Sequence, residues 1–420
     1  MADWKQVIRE EWKSRMERAK PGGFFPLVAQ GFDEREIIAT VDVLLTGRLT
    51  MADQVRKFEA KFAKYIGSKY AVMVNSGSSA NLLALAVAAN PMRKKFLKPG
   101  DEVLVPAVCW STSVWPIVQM GLKPVFVDVS PDTLNIDLKD LRRKITSRTK
   151  ALMAVHILGN SAPMKEVLAL ARKHKLLVLE DTCESLGVKA DGRYLGSMGD
   201  FGCYSFYYSH HITTGEGGMV VCNTQEDYDL LKCLRAHGWS RELSNREALE
   251  KANPQVDPRF LFVNLGYNLR PMEVQAAFGL CQLDRLATMN RTRNANRRRI
   301  IAALKAHPKW ADQMEFPVAG EGTSPVWFGF VALLKAELAS HQKSFLKYLS
   351  LCEVENRPVV SGNFTRQPGL KLMGIKCNPH DYPGAEAINQ RGFFFGLHTE
   401  ELTDDRIARL ADLMLNYKFK

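Results

Sequence analysis

Residues 205–218 read SFYYSHHITTGEGG, and the adjacent histidines in this segment are the most informative feature of the chain. The apolar residues before the pair predict a short strand, and the glycine-rich residues after it predict a flexible turn. Imidazole can transfer a proton near neutral pH, so His210 is a candidate acid or base. A chance surface histidine is the ordinary alternative, but a strand, Ser205, His210 and a turn in this order favour the catalytic interpretation.

Upstream of this segment, short apolar strands alternate with helices, and one more strand follows it. Strands are predicted at 71–74, 102–105, 124–129, 151–155, 176–179, 203–207 and 218–222. Helices are predicted at 34–45, 55–66, 79–89, 111–120, 138–144 and 164–174. Apolar strands that alternate with helices indicate an α/β fold with a mostly parallel sheet buried on both faces.

The pattern differs at the two ends of the chain. The first 30 residues predict a charged amphipathic helix with a Pro-Gly-Gly turn at 21–23. After the sheet region we predict a long helix at 271–307, strands at 327–335 and 354–360, and helices at 339–351 and 404–415. The predicted parts are an N-terminal helical extension (1–30), a large α/β domain (31–285) and a smaller α+β C-terminal domain (286–420).

The composition is that of an ordinary folded protein with an excess of positive charge. Among 420 residues, 57 Lys and Arg against 45 Asp and Glu give a net charge of +12. Such an excess can indicate that a protein binds nucleic acid, a membrane surface or an anionic substrate. The densest basic run, at 291–299, holds five arginines. We interpret it as a solvated helix face, because no nucleic-acid-binding motif accompanies it. A phosphorylated substrate and cofactor would account for the excess equally well.

Cysteine usage and hydropathy bear on the compartment. The eight cysteines include no C-x-x-C pair and no zinc-ligand spacing, so buried free thiols in a reducing compartment are expected. The N-terminus is charged, and no apolar run approaches the length of a membrane span. We therefore predict a cytoplasmic protein that binds neither nucleic acid nor membrane and has no metal site.

Two segments that follow predicted strands could hold a phosphorylated ring. Residues 75–81 read NSGSSAN and open a helix, where small residues let N–H groups and hydroxyls bind a phosphate. A plain N-cap turn has the same signature. Trp110 follows another strand, at a position where a flat ring would be stacked in an α/β sheet, although a core tryptophan is equally compatible.

A third segment, residues 179–185 (LEDTCES), places a carboxylate at the end of an apolar strand. Asp181 could pair with the protonated nitrogen of a ring and make that ring an electron sink, although an aspartate that only caps the backbone is the simpler alternative. The His210 loop follows 29 residues later. Because the carboxyl ends of parallel strands meet at one edge, these sites can be assembled into one pocket.

Several segments together resemble the DegT/DnrJ/EryC1/StrS family of nucleotide-sugar aminotransferases, which have the fold of aspartate aminotransferase. The supporting segments are 67–74 (GSKYAVMV), 105–112 (VPAVCWST), 235–239 (RAHGW), 266–271 (GYNLRP) and 357–364 (RPVVSGNF). The resemblance runs from about residue 27 into the C-terminal region. Most members bind pyridoxal 5'-phosphate (PLP) covalently through a lysine. The resemblance is strongest to the 3-dehydratases, in which a histidine stands in place of that lysine, as His210 does here.

The resemblance implies an enzyme that uses pyridoxamine 5'-phosphate (PMP) without a covalent attachment. It implies loss of the hydroxyl at carbon 3 of a nucleotide-linked 4-keto-6-deoxyhexose, GDP-4-keto-6-deoxy-D-mannose, with L-glutamate as the co-substrate that converts PLP back to PMP. His210 would be the acid/base, and Gly77, Ser78 and Ser205 would bind the cofactor phosphate. Asn268 would reach the phosphate of the neighbouring subunit's cofactor, which implies a homodimer with shared active sites.

The remaining implied roles concern the ring and the sugar. Trp110 would stack on the pyridine ring, and Asp181 would bind its nitrogen. Glu184 would lie near the edge of the ring, and Arg241 would contact the sugar end of the substrate.

The resemblance also separates two kinds of dehydratase. Relatives that use an iron–sulfur cluster carry its cysteines shortly before the Gly-Tyr-Asn motif, whereas no cysteine occurs here between Cys233 and Cys281. Without thiolates no iron–sulfur cluster is expected. An aminotransferase is disfavoured because the lysine is missing and Lys232 lies outside the motif. A substrate with a different nucleotide or sugar and a non-catalytic regulator that kept the fold are the other open readings.

Overall fold

The computed structural model describes residues 3–18, 22–29 and 31–419. Its α-helices are α1 (Trp4–Arg18), α2 (Glu34–Leu45), α3 (Asp53–Ile66), α4 (Gly77–Ala88), α5 (Ser111–Gln119), α6 (Leu138–Lys144), α7 (Met164–His174), α8 (Gln225–Arg235), α9 (Arg246–Ala252), α10 (Glu273–Ala306), α11 (Gln342–Leu351), α12 (Pro368–Leu372), α13 (Pro383–Arg391) and α14 (Asp404–Leu415). In these described parts of the chain, no helix is both long enough and apolar enough to cross a membrane.

The strands form one large sheet and two smaller ones. They are β1 (Tyr70–Val74), β2 (Glu102–Pro106), β3 (Lys123–Val127), β4 (Thr149–Val155), β5 (Leu177–Asp181), β6 (Lys189–Ala190), β7 (Arg193–Tyr194), β8 (Phe201–Ser205), β9 (Gly218–Cys222), β10 (Met314–Glu315), β11 (Thr323–Ser324), β12 (Gly329–Leu334), β13 (Asn356–Arg357) and β14 (Gly392–Gly396). The large sheet has the order β1-β9-β8-β5-β4-β2-β3. Strand β9 is antiparallel to both of its neighbours and all other pairs are parallel. The predicted α/β fold with a mostly parallel sheet is confirmed.

The large sheet is buried on both faces, as its apolar strands require. Side chains alternate between the faces: Val103 and Val105 of β2 join the hydrophobic cluster that contains α4, whereas Leu104 packs in a second cluster with Val167 of α7. Strand β1 alternates in the same way between α4 and α3. Because β1 and β8 are both antiparallel to β9 and the other pairs are parallel, all strands of the large sheet except β9 run in one direction. Their carboxyl ends therefore share one edge.

A smaller antiparallel sheet of order β10-β12-β14-β13 follows the long helix. The predicted strand at 354–360 was wrong in length, since only Asn356–Arg357 pairs as a strand. Pro358 has no N–H to donate to a ladder, and the backbone turns to a φ of 50° at Val360. In a third sheet, of order β11-β6-β7, strand β11, which follows α10, pairs with β6, which lies between β5 and β8 in the chain.

The N-terminal region contributes one helix and one strap. Helix α1 confirms the predicted helix, but it has no buried side chain. Residues 22–29 pack along the smaller sheet, where the fully buried Phe25 forms a parallel bridge with Val354. Pro21 of the predicted turn lies outside the described residues.

Helix α10 confirms the predicted long helix and runs through the predicted domain boundary at 285, which stays a prediction. Its arginine-rich part corrects the expectation of a solvated face. Met289, Arg293, Asn296 and Ile300 are spaced three or four residues apart and are all buried, with Arg293 only 7% exposed. The helical period therefore directs part of the basic run into the protein.

Candidate active site

A cleft of about 700 Å³ lies at the edge of the large sheet where the parallel strands end. The loops after β1, β2, β4, β5 and β8 form most of its wall. The predicted site residues that line it are Gly77, Ser78, Trp110, Asp181, Glu184, Ser205 and His210. The structure therefore brings together the segments that the sequence suggested could form one pocket.

One corner of the cleft is suited to a phosphate. Ser76 caps α4 and accepts a hydrogen bond from the Ser79 N–H at 3.1 Å, so the N-cap interpretation was correct for this residue. Gly77 and Ser78 begin the helix, and N–H groups of a first helical turn have no acceptor within the helix. The Ser205 hydroxyl lies beside Gly77 at the end of β8. Donors at the positive end of a helix can bind an anion.

Asp181 is held rigidly at the floor of the cleft. It is 4% exposed, and its Oδ2 accepts hydrogen bonds from Asn81 Nδ2 at 2.7 Å and Ser113 Oγ at 2.6 Å. Its Oδ1 accepts a longer bond of 3.2 Å from the Cys183 N–H. Asp181 therefore does bind a backbone N–H two residues later, as the simpler alternative expected. Side chains from helices α4 and α5 also fix its carboxylate. Among the described residues no cation pairs with Asp181, which leaves its charge available to a ligand.

Trp110 and Glu184 line the cleft from neighbouring loops. Trp110 is 57% exposed at the start of α5, so it is not a core tryptophan. Glu184 Oε2 accepts the Leu158 N–H at 3.1 Å. Burial raises the pKa of Glu184 to about 7, the hydrogen bond from Leu158 opposes this shift, and the charge of Asp181 adds to it.

His210 is oriented by a main-chain carbonyl. Its Nδ1 lies 2.8 Å from the carbonyl oxygen of Cys183. Because a carbonyl only accepts hydrogen bonds, we assign the proton to Nδ1, and Nε2 then carries a free lone pair. Tyr207 and Phe328 meet the imidazole ring edge to face. Burial lowers the pKa of His210 to about 4, although the Cys183 carbonyl and the Asp181 charge oppose the shift. At neutral pH His210 is therefore an uncharged base.

His211 is not equivalent to its neighbour. It is 2% exposed, and its Nε2 lies 3.0 Å from the Val326 carbonyl oxygen rather than in the cleft. The two histidines of the sequence motif are therefore a base in the cleft and a buried structural residue.

Two predicted residues do not line this cleft. Asn268 is exposed, and its backbone forms an isolated antiparallel β-bridge with Ala236. Its Oδ1 accepts a hydrogen bond from Arg270 Nε at 3.0 Å. Arg241 donates to the Arg259 carbonyl oxygen at 2.7 Å and stacks on a tryptophan ring. Their predicted roles stay predictions.

No role was predicted from the sequence for the basic side chain of the cleft. Arg357 is the one lysine or arginine among the described residues that line it. Its Nη2 donates to Glu355 Oε1 at 2.6 Å, and Glu355 Oε2 accepts the Leu27 N–H at 2.9 Å. The available signal was an arginine at the start of an apolar segment, RPVV, but nothing local connected it with a cleft.

Comparisons with known proteins identify the family. The model of the DegT/DnrJ/EryC1/StrS aminotransferase family matches residues 31–415. The chain belongs to this family. The GDP-4-keto-6-deoxy-D-mannose 3-dehydratase of Escherichia coli is 38% identical over 383 residues, which are 91% of this chain and 97% of that protein.

Two solved structures of DegT/DnrJ/EryC1/StrS relatives are similar over nearly the whole chain. The E. coli GDP-4-keto-6-deoxy-D-mannose-3-dehydratase with bound hydrated PLP has a TM-score of 0.86 and 36% identity, and the match covers 93% of this chain and 99% of that chain. A GDP-4-keto-6-deoxymannose-3-dehydratase with a trapped PLP-glutamate geminal diamine has a TM-score of 0.85 and 37% identity, with 93% and 100% covered. These matches confirm the aspartate-aminotransferase-like fold.

The cleft of this DegT/DnrJ/EryC1/StrS chain fits a phosphorylated pyridine. Asp181 is a buried carboxylate without a cation among the described residues, as a protonated ring nitrogen requires. The exposed face of Trp110 suits a flat ring, and the corner at Gly77 suits its phosphate. Over the same described ranges, no group of three or more His, Cys, Asp or Glu side chains is arranged to hold a metal ion.

Proposed function

We propose that this chain is a PMP-dependent 3-dehydratase of a nucleotide-linked 4-keto-6-deoxyhexose, with GDP-4-keto-6-deoxy-D-mannose as its substrate. The observation that carries the proposal is that an imidazole, His210, lines the cleft together with Asp181 and Trp110, in the segment where the family resemblance implies a lysine. A histidine can move a proton there but, having no primary amine, cannot form a Schiff base with the cofactor. The names of the relatives support the same reaction.

The side chains of the cleft have distinct parts in this proposal. When bound, PMP supplies an amine that condenses with the 4-keto group and a ring that takes up the electron pair left when its aminomethyl carbon is deprotonated. Asp181 would keep the ring nitrogen protonated, and Trp110 would cover one face of the ring. Nε2 of His210 would remove the proton from the aminomethyl carbon, after which the hydroxyl at carbon 3 departs.

L-Glutamate would close the cycle. One nucleotide sugar and one glutamate give one 3-deoxy-4-keto sugar, one 2-oxoglutarate and one ammonia, so that carbon 3 of the sugar is reduced while glutamate is oxidised. The cleft already holds several carboxylates, among them Asp181, Glu184 and Glu216, and Arg357 is the cation available to an anionic substrate. We therefore assign Arg357 to a substrate carboxylate or phosphate, which would displace Glu355 from it.

The proposal includes a homodimer with shared sites. Asn268 lies outside the cleft of its own chain, so a contact with a cofactor phosphate requires a second copy. Arg241 lies in the same region of the chain, which the bridges Ala236–Asn268 and Trp239–Phe262 hold together. Its contact with the sugar would then also be made in the partner's cleft.

The proposed compartment is the cytoplasm. All eight cysteines are free in the structure, and Cys109, Cys203, Cys222 and Cys233 are buried. Unpaired buried thiols suit a reducing environment.

The proposed function is tested by supplying each candidate substrate. The purified protein is incubated with PLP, L-glutamate and GDP-, CDP- or dTDP-linked 4-keto-6-deoxy sugars. Mass spectrometry reports loss of one oxygen from the sugar, and 2-oxoglutarate and ammonia are quantified in the same reactions. We expect the GDP-linked sugar to lose its oxygen with one 2-oxoglutarate formed for each product, and Arg357→Gln to raise the KM of an anionic substrate.

Two outcomes would contradict the proposed reaction. Transfer of the amino group to carbon 4, which replaces the keto oxygen and leaves the hydroxyl at carbon 3 in place, would identify an aminotransferase. No turnover of any sugar and no spectral change of added PLP with glutamate would identify a non-catalytic relative. Loss of oxygen from only the CDP- or dTDP-linked sugar would keep the reaction and change the nucleotide.

A further inference from the structure

Helix α10 places an arginine directly behind the catalytic loop. Arg293 Nη1 lies 3.2 Å from the carbonyl oxygen of His211, and its Nη2 lies 3.4 Å from the carbonyl oxygen of His210. A planar guanidinium can donate to two acceptors at a fixed spacing. Arg293 therefore binds the backbone of the segment that presents the imidazole to the cleft.

Within the described ranges, no carboxylate is paired with the charge of Arg293. The residue is 7% exposed, and none of the salt bridges among the described residues involves it. Arg293 Nη1 also donates a 3.4 Å hydrogen bond to Asn290 Oδ1. Burial lowers the pKa of Arg293 to about 10, so the guanidinium is still charged at neutral pH. An uncompensated buried charge is unfavourable for folding, which points to a role other than stability.

The groups that face His210 come from several elements. Asp181 on β5 and the Cys183 carbonyl favour the protonated imidazole, whereas burial and the charge of Arg293 on α10 disfavour it. Glu184, whose own pKa burial raises to about 7, lies in the loop after β5. At the imidazole, the charge of Arg293 thus opposes the charge of Asp181.

We propose that Arg293 is a positioning residue for His210: its two N–H groups fix the backbone of residues 210–211, and its positive charge lies beside the loop that presents the imidazole to the cleft. This inference rests on the proposed role of His210 as the base of the dehydration. Arg293 makes two contributions that can be separated by substitution. One is the pair of hydrogen bonds that its planar guanidinium donates to two carbonyl oxygens, called the fork below, and the other is its charge.

The charge is tested on the full-length protein without any turnover. The nine histidines are labelled with carbon-13 at Cε1, and the His210 signal is assigned by its loss in His210→Asn. We expect Arg293→Met to raise the pKa of His210 by about one pH unit, because a neighbouring positive charge is removed. Arg297→Met is the matched control. It removes a cation one turn along α10, where Arg297 donates to the Pro317 carbonyl oxygen at 2.7 Å. An unchanged His210 pKa in Arg293→Met would overturn the charge contribution.

The fork is tested with Arg293→Lys, which retains the charge but can no longer donate to both carbonyls in the same plane. We expect the His210 pKa to stay close to that of the wild type while kcat falls roughly tenfold to a hundredfold, because the base is misplaced. In Arg293→Met, the acid limb of the kcat/KM profile should also move to higher pH. Wild-type kcat in Arg293→Lys would overturn the positioning role, and this variant also decides that role if Arg293→Met does not fold.

The outcomes separate this inference from the proposed function. If the wild type does not dehydrate any sugar but the His210 pKa responds to Arg293, only the proposed function fails. If the wild type dehydrates its substrate and neither Arg293 variant changes the pKa of His210 or kcat, only the role of Arg293 fails.

Discussion

A Cβ atom built on Gly77 would lie 2.4 Å from the Cβ atom of Ser205. The start of α4 and the end of β8 therefore approach as closely as the backbone permits, and a side chain at position 77 would displace the serine. We expect Gly77→Ala to weaken PLP binding about tenfold or more, because overpacking of this kind costs roughly 1–3 kcal/mol. The dissociation constant is measured by titrating PLP against the protein's fluorescence.

Gly22→Ala is the matched control, because no heavy atom of the described residues, apart from those of Gly22 and its chain neighbours, lies within 4 Å of a Cβ at that position. Circular dichroism and thermal melting establish that both variants are folded. A folded Gly77→Ala protein with wild-type PLP affinity would show that the phosphate binds elsewhere.

Replacement of the imidazole by an amine should restore a covalent link. We expect His210→Lys to form a covalent link with PLP that borohydride reduction makes permanent. The mass of the intact protein measures this link. Dehydration should fall by roughly 10²–10⁴-fold, because a positioned acid/base is lost. His210→Asn provides the control, since it should lose dehydration without any covalent link. Dehydration at the wild-type rate in His210→Lys would rule out the assigned role of His210.

Glu184 should titrate in the working range of the enzyme. Because burial raises its pKa to about 7, Glu184 is largely protonated at pH 6 and largely ionised at pH 8. We expect the absorbance spectrum of bound PLP to change with a midpoint near pH 7, and Glu184→Gln to abolish this step. Glu216→Gln, which removes another carboxylate of the cleft, should retain it. The same step in Glu184→Gln would assign the titration to a different group.

The sequence predicted several elements to the residue because their ends carry local signals. The predicted helices at 34–45, 138–144 and 404–415 have these bounds in the structure, and Asp33, Asp137 and Thr403 cap their first turns through side-chain hydrogen bonds. The same reasoning failed at 354–360, where Pro358 and a turn ended the strand. Local composition alone did not show that the apolar run would leave the sheet.

The candidate site was predictable where residues follow parallel strands, because those strand ends meet at one edge. Asp181 and His210 were found in this way. Arg293 and Arg357 were not found, because the contact of Arg293 with the His210 loop and the place of Arg357 in the cleft depend on how α10 and the smaller sheet pack against the large sheet. Nothing near position 293 distinguishes it from the exposed Arg291 and Arg298 except the rotation of the helix.

Asn268 should act in the site of a second subunit. We expect Asn268→Ala and His210→Asn each to lose most activity as homodimers, because each lacks one residue in every site. When the two variants are co-expressed with different tags and the mixed dimer is purified, one site combines both wild-type residues. We expect this dimer to recover up to half of the wild-type activity, measured as 2-oxoglutarate release. Recovery of no activity would mean that Asn268 serves its own chain.

His398 should make the fold sensitive to acid. It is 3% exposed, its Nε2 lies 3.0 Å from the Pro26 carbonyl oxygen, and burial lowers its pKa to about 4. An unfolded histidine titrates near pH 6.5, so between pH 6.5 and 4 the unfolded chain binds more protons than the folded one. The free energy of unfolding should therefore fall as the pH falls through this window, by at most about 1.4 kcal/mol per pH unit for each such group. His398→Asn should flatten this dependence in urea titrations at several pH values, whereas the same change at the exposed His174 should not. Equal pH dependence in His398→Asn and the wild type would show that this histidine does not set the acid sensitivity.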